Sequence, residues 1–115
     1  MDDEWYRNQS GESPIQRFLD SLQGRNKDEA TGLLNLLREW GNRMRSPRSE
    51  PVGDGLFELR GHQVRIFYVF RPGRWIVVLD GTIKKQDKIP ADVLKRVRGY
   101  QRDLETRDKA QQQGP

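Results

Sequence analysis

Residues 55–85, GLFELRGHQVRIFYVFRPGRWIVVLDGTIKK, constrain the fold more than any other stretch of the chain. Three runs rich in β-branched and aromatic residues are separated by two turn signals. Gly61-His62 reads as a tight turn. In Arg71-Pro72-Gly73-Arg74, Pro presets φ at the second turn position and Gly tolerates a positive φ at the third. The segment therefore predicts an antiparallel meander with strands near 55–60, 63–70 and 75–84. Alternation puts Val64, Ile66, Tyr68 and Phe70 on one face and Gln63, Arg65, Phe67 and Val69 on the other. Phe57 and Leu59 likewise oppose Glu58 and Arg60.

The rest of the chain supplies what covers this sheet. A short first strand is expected within 4–8. Ser13 and Pro14 form a helix start, a side-chain oxygen before a proline at the first helical position. Ile15, Phe18, Leu19 and Leu22 follow at i, i+3, i+4 and i+7, and Gly24 is expected to end the helix. A second helix opens with capping-box spacing at Asn26 and Glu29 and carries the stripe Leu33, Leu37, Trp40 and Met44. The two read as an αα-hairpin covering one sheet face. Residues 45–54, rich in Pro, Gly, Ser and Arg, read as a loop. A third helix is expected over about 90–106 with Val93, Val97, Tyr100 and Leu104 on its docking face. Trp40 and Trp75 read as core. The fold class is α+β in the order β-α-α-β-β-β-α, one domain over 1–108, with a polar, disordered tail over 109–115.

Charge is unevenly spread. The chain carries +4 overall, but residues 1–42 hold five Lys/Arg against eight Asp/Glu, and residues 43–102 hold fourteen against six. A basic excess on the strands and the last helix attracts phosphate; a basic surface kept soluble by charge is the plainer alternative. The absence of cysteine excludes disulfides and thiolate metal sites and fits a reducing, cytoplasmic setting. No apolar run reaches the ~20 residues of a membrane span, and MDDEWYR lacks the features of a signal peptide. No membrane partner is expected.

Cations on strands are either paired structural charges or an anion-binding face. Arg65 and Arg60 are candidates to stabilise a phosphate, with Arg65–Glu58 or Arg60–Glu58 ion pairs as the alternative. Lys84 and Lys85, at the end of the last strand, could contact phosphate or protonate a leaving oxygen; a solvated strand edge is the alternative. Lys88, Arg43, Arg45 and Arg48 suit RNA-backbone contacts. His62 could be a general base or simply an exposed turn residue. No H-x-x-x-H, cysteine pair or carboxylate cluster suggests a metal, and no cofactor is expected. A nuclease built this way would cut RNA, whose 2′-OH supplies the nucleophile.

Taken together, LREWG (37–41), GLFELR (55–60), QVRIFYVF (63–70), WIVVLDG (75–81) and IKKQDKIP (83–90) resemble the HigB-like branch of the RelE/ParE toxin superfamily, the phage-derived toxin-like proteins. The resemblance implies the toxin of a type II toxin-antitoxin system, a metal-independent, ribosome-dependent mRNA endonuclease. Its partners would be the ribosome, mRNA and a cognate helix-turn-helix antitoxin, with operator DNA reached only through the antitoxin. The resemblance points to Arg60 and Arg65 as phosphate-binding or charge-stabilising residues, and Lys84 and Lys85 match the lysine pair after its last strand, with candidate RNA-binding or proton-transfer roles. Many relatives have Leu-His-Gly-Phe before the lysines, where this chain has Leu79-Asp80-Gly81-Thr82. That departure keeps open a superfamily member that binds a protein target such as DNA gyrase, or a non-catalytic RNA-binding phage protein.

Overall fold

The computed structural model describes residues 3–73 and 75–112. The elements are β1 (Asp3–Trp5), α1 (Pro14–Asp20), α2 (Gly24–Trp40), β2 (Ser49–Gly53), β3 (Leu56–Arg60), β4 (Val64–Arg71), β5 (Trp75–Ile83) and α3 (Ala91–Gln112), with a single 3-10 turn at Gly41–Arg43. They form one five-stranded sheet in the order β1-β5-β4-β3-β2. The α+β class holds, with two corrections. First, β1 runs parallel to β5, pairing Asp3 with Ile76, so the sheet is mixed. Second, the stretch read as a loop contains the edge strand β2, paired antiparallel to β3. Pro51 hid it, yet an edge strand tolerates a residue that cannot donate to the ladder, and the irregularity between Pro51 and Gly53 absorbs the glycine.

The helix ends also differ from expectation. Ser13 caps α1, its hydroxyl accepting from the Gln16 amide, as its position before Pro14 predicts. However, α1 stops at Asp20, and Gly24 begins α2 instead of ending α1. No capping box forms there: the Glu29 carboxylate reaches across to the β3–β4 turn. Helix α3 continues to Gln112, four residues into the stretch read as a tail, and 113–115 lie outside the described residues. Arg74 of the expected turn lies outside them too.

Strand alternation sorts the core onto the two sheet faces as expected. Leu59, Val64, Ile66, Tyr68, Ile76 and Val78 meet Ile15, Leu33, Leu34 and Leu37 under the αα-hairpin. Leu56, Phe67, Val69, Val77 and Leu79 meet Val93, Val97 and Leu104 of α3. The Arg65 face is therefore covered by α3. Trp40 and Trp75, read as core, are 45% and 44% exposed. Each sits at the end of its element, Trp40 as the last residue of α2 and Trp75 as the first of β5, where the periodic pattern outruns the partner surface.

Gly81 marks a close approach. A Cβ there would lie 2.4 Å from the Phe18 ring and 3.1 Å from the Arg65 carbonyl oxygen. Gly81→Ala is expected to destabilise the fold by about 1–3 kcal/mol, because the ring has to move out of a packed site. Urea unfolding checks this; an unchanged midpoint would show that α1 yields freely.

At the end of the molecule opposite the β3–β4 turn, β1 and its following residues are tied to α3. Tyr6 is 4% exposed, donates to the Asp103 carboxylate, and lies 5.1 Å from the Tyr100 ring and under the Arg107 guanidinium. Burial, then the bond to Asp103, pushes the Tyr6 pKa up to about 12. Unfolded tyrosine ionises near ~10, so between about pH 10 and 12 the folded state holds the proton more tightly. This contribution is complete below about pH 10 and disappears as pH approaches 12, on the order of 2 kcal/mol in total. Tyr6→Phe should flatten that part of the alkaline stability profile, as followed by urea unfolding across the window. An unchanged alkaline slope would place the effect on other groups.

Candidate functional site

The tight turn closing β3 and β4 defines one end of the sheet and brings several of the expected cations together. Arg60 and Arg65 are direct cross-strand partners, and Arg65 is in turn opposite Thr82 of β5. All three side chains belong to the α3 face. Arg65, Glu58, Phe67, Thr82, Lys84, Lys85, Asp87 and Lys88 line one narrow recess, bordered by the 84–90 segment that leads into α3. This segment is anchored at its start by the Lys84 amide donating to the Gln63 carbonyl at 2.7 Å.

The cations in this end have different fates. Arg60 Nε donates to Glu58 Oε1 at 2.7 Å, so the ion-pair alternative holds for Arg60, and that bond raises its already high pKa. Glu58 is buried at 4% exposure; leaving it ionised without Arg60 would be costly. Arg65 differs. Its Nη1 donates to the carbonyls of Gly61 at 2.6 Å and Val64 at 3.1 Å. Among the described residues it makes no ion pair with a carboxylate, whereas the other strand arginines, Arg60 and Arg71, both do. Arg65 is thus a positive charge held in place without being neutralised. Lys84 meets the exposed Asp87 at 3.4 Å, a contact of little worth. Lys85 and Lys88 are exposed and make no ion pair among the described residues.

Of the loop arginines, only Arg48 joins this end. Its carbonyl accepts from the Arg60 amide at 2.7 Å. Arg43 instead stacks over the Trp40 ring at 5.0 Å, and Arg45 donates to the Asn42 and Met44 carbonyls beside a separate groove lined by Phe57, Tyr68 and Phe70. His62 is exposed on the turn. The lysines and arginines of α3 are partly spent on structure: Arg96 pairs with buried Asp80 at 2.9 Å, and Arg98 donates to the Gly53 carbonyl. The departure at Leu79-Asp80-Gly81-Thr82 is therefore a structural pair, Asp80 also accepting from the Gly81 amide.

Two residues of the recess escaped the sequence reading. Glu58 was weighed only as an ion-pair partner, although its alternation with Arg60 already put both on one face. Thr82 was hidden by the β-bulge opposite Phe67/Tyr68, which resets the alternation in β5. Among the described residues, no group of three His, Cys, Asp or Glu is placed to hold a metal.

A larger recess lies at the opposite end, lined by Asp3, Glu4, Tyr6, Arg71 and Arg107 among others. Most of its arginines are paired, Arg38 with Asp3, Arg71 with Glu4 and Asp108, and Arg107 with Asp103, while Arg7 makes no ion pair among the described residues. Among the described residues, cations without an ion pair are more numerous at the β3–β4 end, where Arg65, Lys85 and Lys88 stand against Arg7 at this one.

The mixed sheet between an αα-hairpin and a long final helix is the RelE-like fold. A chain of the toxin-antitoxin complex RelBE2 from Mycobacterium tuberculosis superposes with a TM-score of 0.51 at 17% identity, over 70% of this chain and all of that one. No curated protein matches the sequence. The family model described as "Phage derived protein Gp49-like (DUF891)" matches residues 17–99, and the chain belongs to that family. The matched span runs from α1 into α3 and contains the whole cationic recess.

Proposed function

We propose that this protein is the toxin of a type II toxin-antitoxin system and cleaves mRNA on the ribosome. The observation that carries the reading is Arg65, a strand-held guanidinium with no carboxylate partner among the described residues, sharing a recess with Lys84, Lys85 and Lys88. The likeness to a chain of a toxin-antitoxin complex and the Gp49-like membership support it.

In this reading the RNA 2′-oxygen attacks the adjacent phosphorus. The P–O5′ bond breaks, leaving a 2′,3′-cyclic phosphate and a 5′-hydroxyl. Arg65 stabilises the charge that grows on the phosphoryl oxygens. Lys84 or Lys85 gives a proton to the departing 5′-oxygen. Glu58, the buried carboxylate of the recess, takes the 2′-hydroxyl proton, and Arg60 holds it in place. Lys88 and Arg48 contact the flanking backbone.

Ribosome dependence has physical support as well. Proteins that hold single strands unaided offer aromatic platforms to successive bases. Among the described residues the only aromatic side chain lining this recess is Phe67, which is fully buried. The ribosome would supply the positioning that the protein lacks. An antitoxin segment carrying carboxylates suits exposed Lys85 and Lys88, and operator DNA is reached only through that antitoxin. Among the described residues no helix is long and apolar enough to cross a membrane, and the proposed substrate places the protein in the cytoplasm.

The test is controlled expression in bacteria with mRNA 5′ ends mapped minutes after induction, beside an Arg65→Ala control. New ends within translated frames, absent in the control, are the expected result. Intact mRNA with early DNA breaks would sink the nuclease reading and favour a gyrase-directed toxin.

A further inference from the structure

We infer that Glu29 of α2 is a positioning residue for Arg65, which it reaches through the β3–β4 turn. The inference rests on the proposed reading of the recess and assigns a role to a residue outside it.

A single carboxylate oxygen of Glu29, Oε1, accepts from the Gln63 amide at 2.8 Å and the Val64 amide at 2.7 Å. The turn is closed on itself by the Gly61 amide donating to the Val64 carbonyl at 2.9 Å. The two carbonyls that receive the Arg65 guanidinium are those of Gly61 and Val64. The backbone that Glu29 fixes is thus the backbone that holds Arg65. Glu29 is half-buried and makes no ion pair among the described residues, so its charge is used on these amides.

Gly61 is the counterpart of this contact. A Cβ at Gly61 would lie 2.3 Å from Glu29 Oε1 and 2.9 Å from the Leu33 side chain one helical turn on. A Cβ there would push the Glu29 carboxylate off the two turn amides. The helix is itself fixed by Leu33 and Leu37, buried against the sheet. A chain of contacts therefore runs from the αα-hairpin core through Glu29 and the turn to the guanidinium. Misplacing a charge-stabilising group by about 1 Å is enough to cost up to ~100-fold in rate.

The test uses the full chain with Glu29→Ala, Glu29→Gln and Gly61→Ala. Two readouts are taken well below each variant's melting temperature: kcat and KM for cleavage of ribosome-bound mRNA, and the Arg65 Nε–H resonance by NMR. Glu29→Ala is expected to lower kcat by about 10- to 100-fold with KM little changed, and to shift the Arg65 signal toward that of a free guanidinium. Glu29→Gln keeps an oxygen acceptor and should recover most of the loss. Gly61→Ala, which displaces the carboxylate without removing it, should resemble Glu29→Ala. A lower melting temperature with kcat and the Arg65 signal unmoved would make Glu29 merely structural and overturn the inference; so would a change in KM alone. If the wild-type protein cuts no RNA, the nuclease reading fails separately, and the Arg65 signal alone decides whether Glu29 positions it. If Glu29→Ala does not fold, Glu29→Gln and Gly61→Ala decide by the same two readouts.

Discussion

Arg65→Ala is expected to lower RNA cleavage by about 100- to 1,000-fold, the usual cost of removing one preorganised charge-stabilising donor, while leaving the unfolding midpoint nearly unchanged. The second half of this statement follows from what Arg65 touches. Its partners are two carbonyls at a solvent-facing turn, and no buried carboxylate loses its counter-charge when it goes. Arg60 is the instructive contrast. Arg60→Ala leaves Glu58 buried and uncompensated, so a loss of activity in that variant mixes chemistry with destabilisation. Arg65→Lys should fall between wild type and alanine, because an ammonium keeps the charge but not the planar fork. Single-turnover cleavage of ribosome-bound mRNA, with melting measured on the same preparations, separates these cases. A well-folded Arg65→Ala protein that cuts at the wild-type rate would remove this residue from the chemistry.

Phe67→Ala is expected to cost about 3–5 kcal/mol, a large share of the ~5–15 kcal/mol that holds a domain of this kind together. Phe67 is fully buried in the middle of β4 and belongs to the core beneath α3, with Val97, Leu79 and Leu56. It also lines the recess beside Arg65. The ring therefore joins two tasks: it packs α3 onto the sheet and supports the floor of the site. Phe67→Leu keeps most of the apolar volume and should lose clearly less. Urea unfolding at neutral pH measures both; a loss under about 1 kcal/mol for alanine would mean that α3 collapses into the space left by the ring.

How far the sequence could be read depended on the range of the interactions involved. The meander over β3–β5 was legible because alternation and turn chemistry are local. Val64, Ile66 and Tyr68 separated from Phe67 and Val69 as the pattern required. The Val93–Val97–Leu104 stripe of α3 was legible for the same reason. β2 was not, since an edge strand containing proline looks like a loop until its partner is known. The parallel pairing of β1 with β5 depends on residues far apart in the chain and has no local signature. At the site, alternation placed Arg60 and Arg65 on one face, and the strand end placed Lys84 and Lys85 nearby. What alternation could not distinguish was which arginine had a carboxylate within reach. Glu29 shows the limit most clearly: its spacing from Asn26 suggested a local cap, and the tertiary structure used it on a turn 34 residues away in sequence.

The parallel pairing of β1 also bears on the order in which the molecule is assembled. Asp3–Trp5 can pair only after Ile76–Val78 exist, and the Tyr6–Asp103 contact needs α3 as well. Pairing between such distant segments is slow to form, because the intervening loop has to close first. The β3–β4 hairpin, by contrast, is local. During synthesis the cationic hairpin can therefore take shape early, while the N-terminal strand waits at the margin until the last helix has been made.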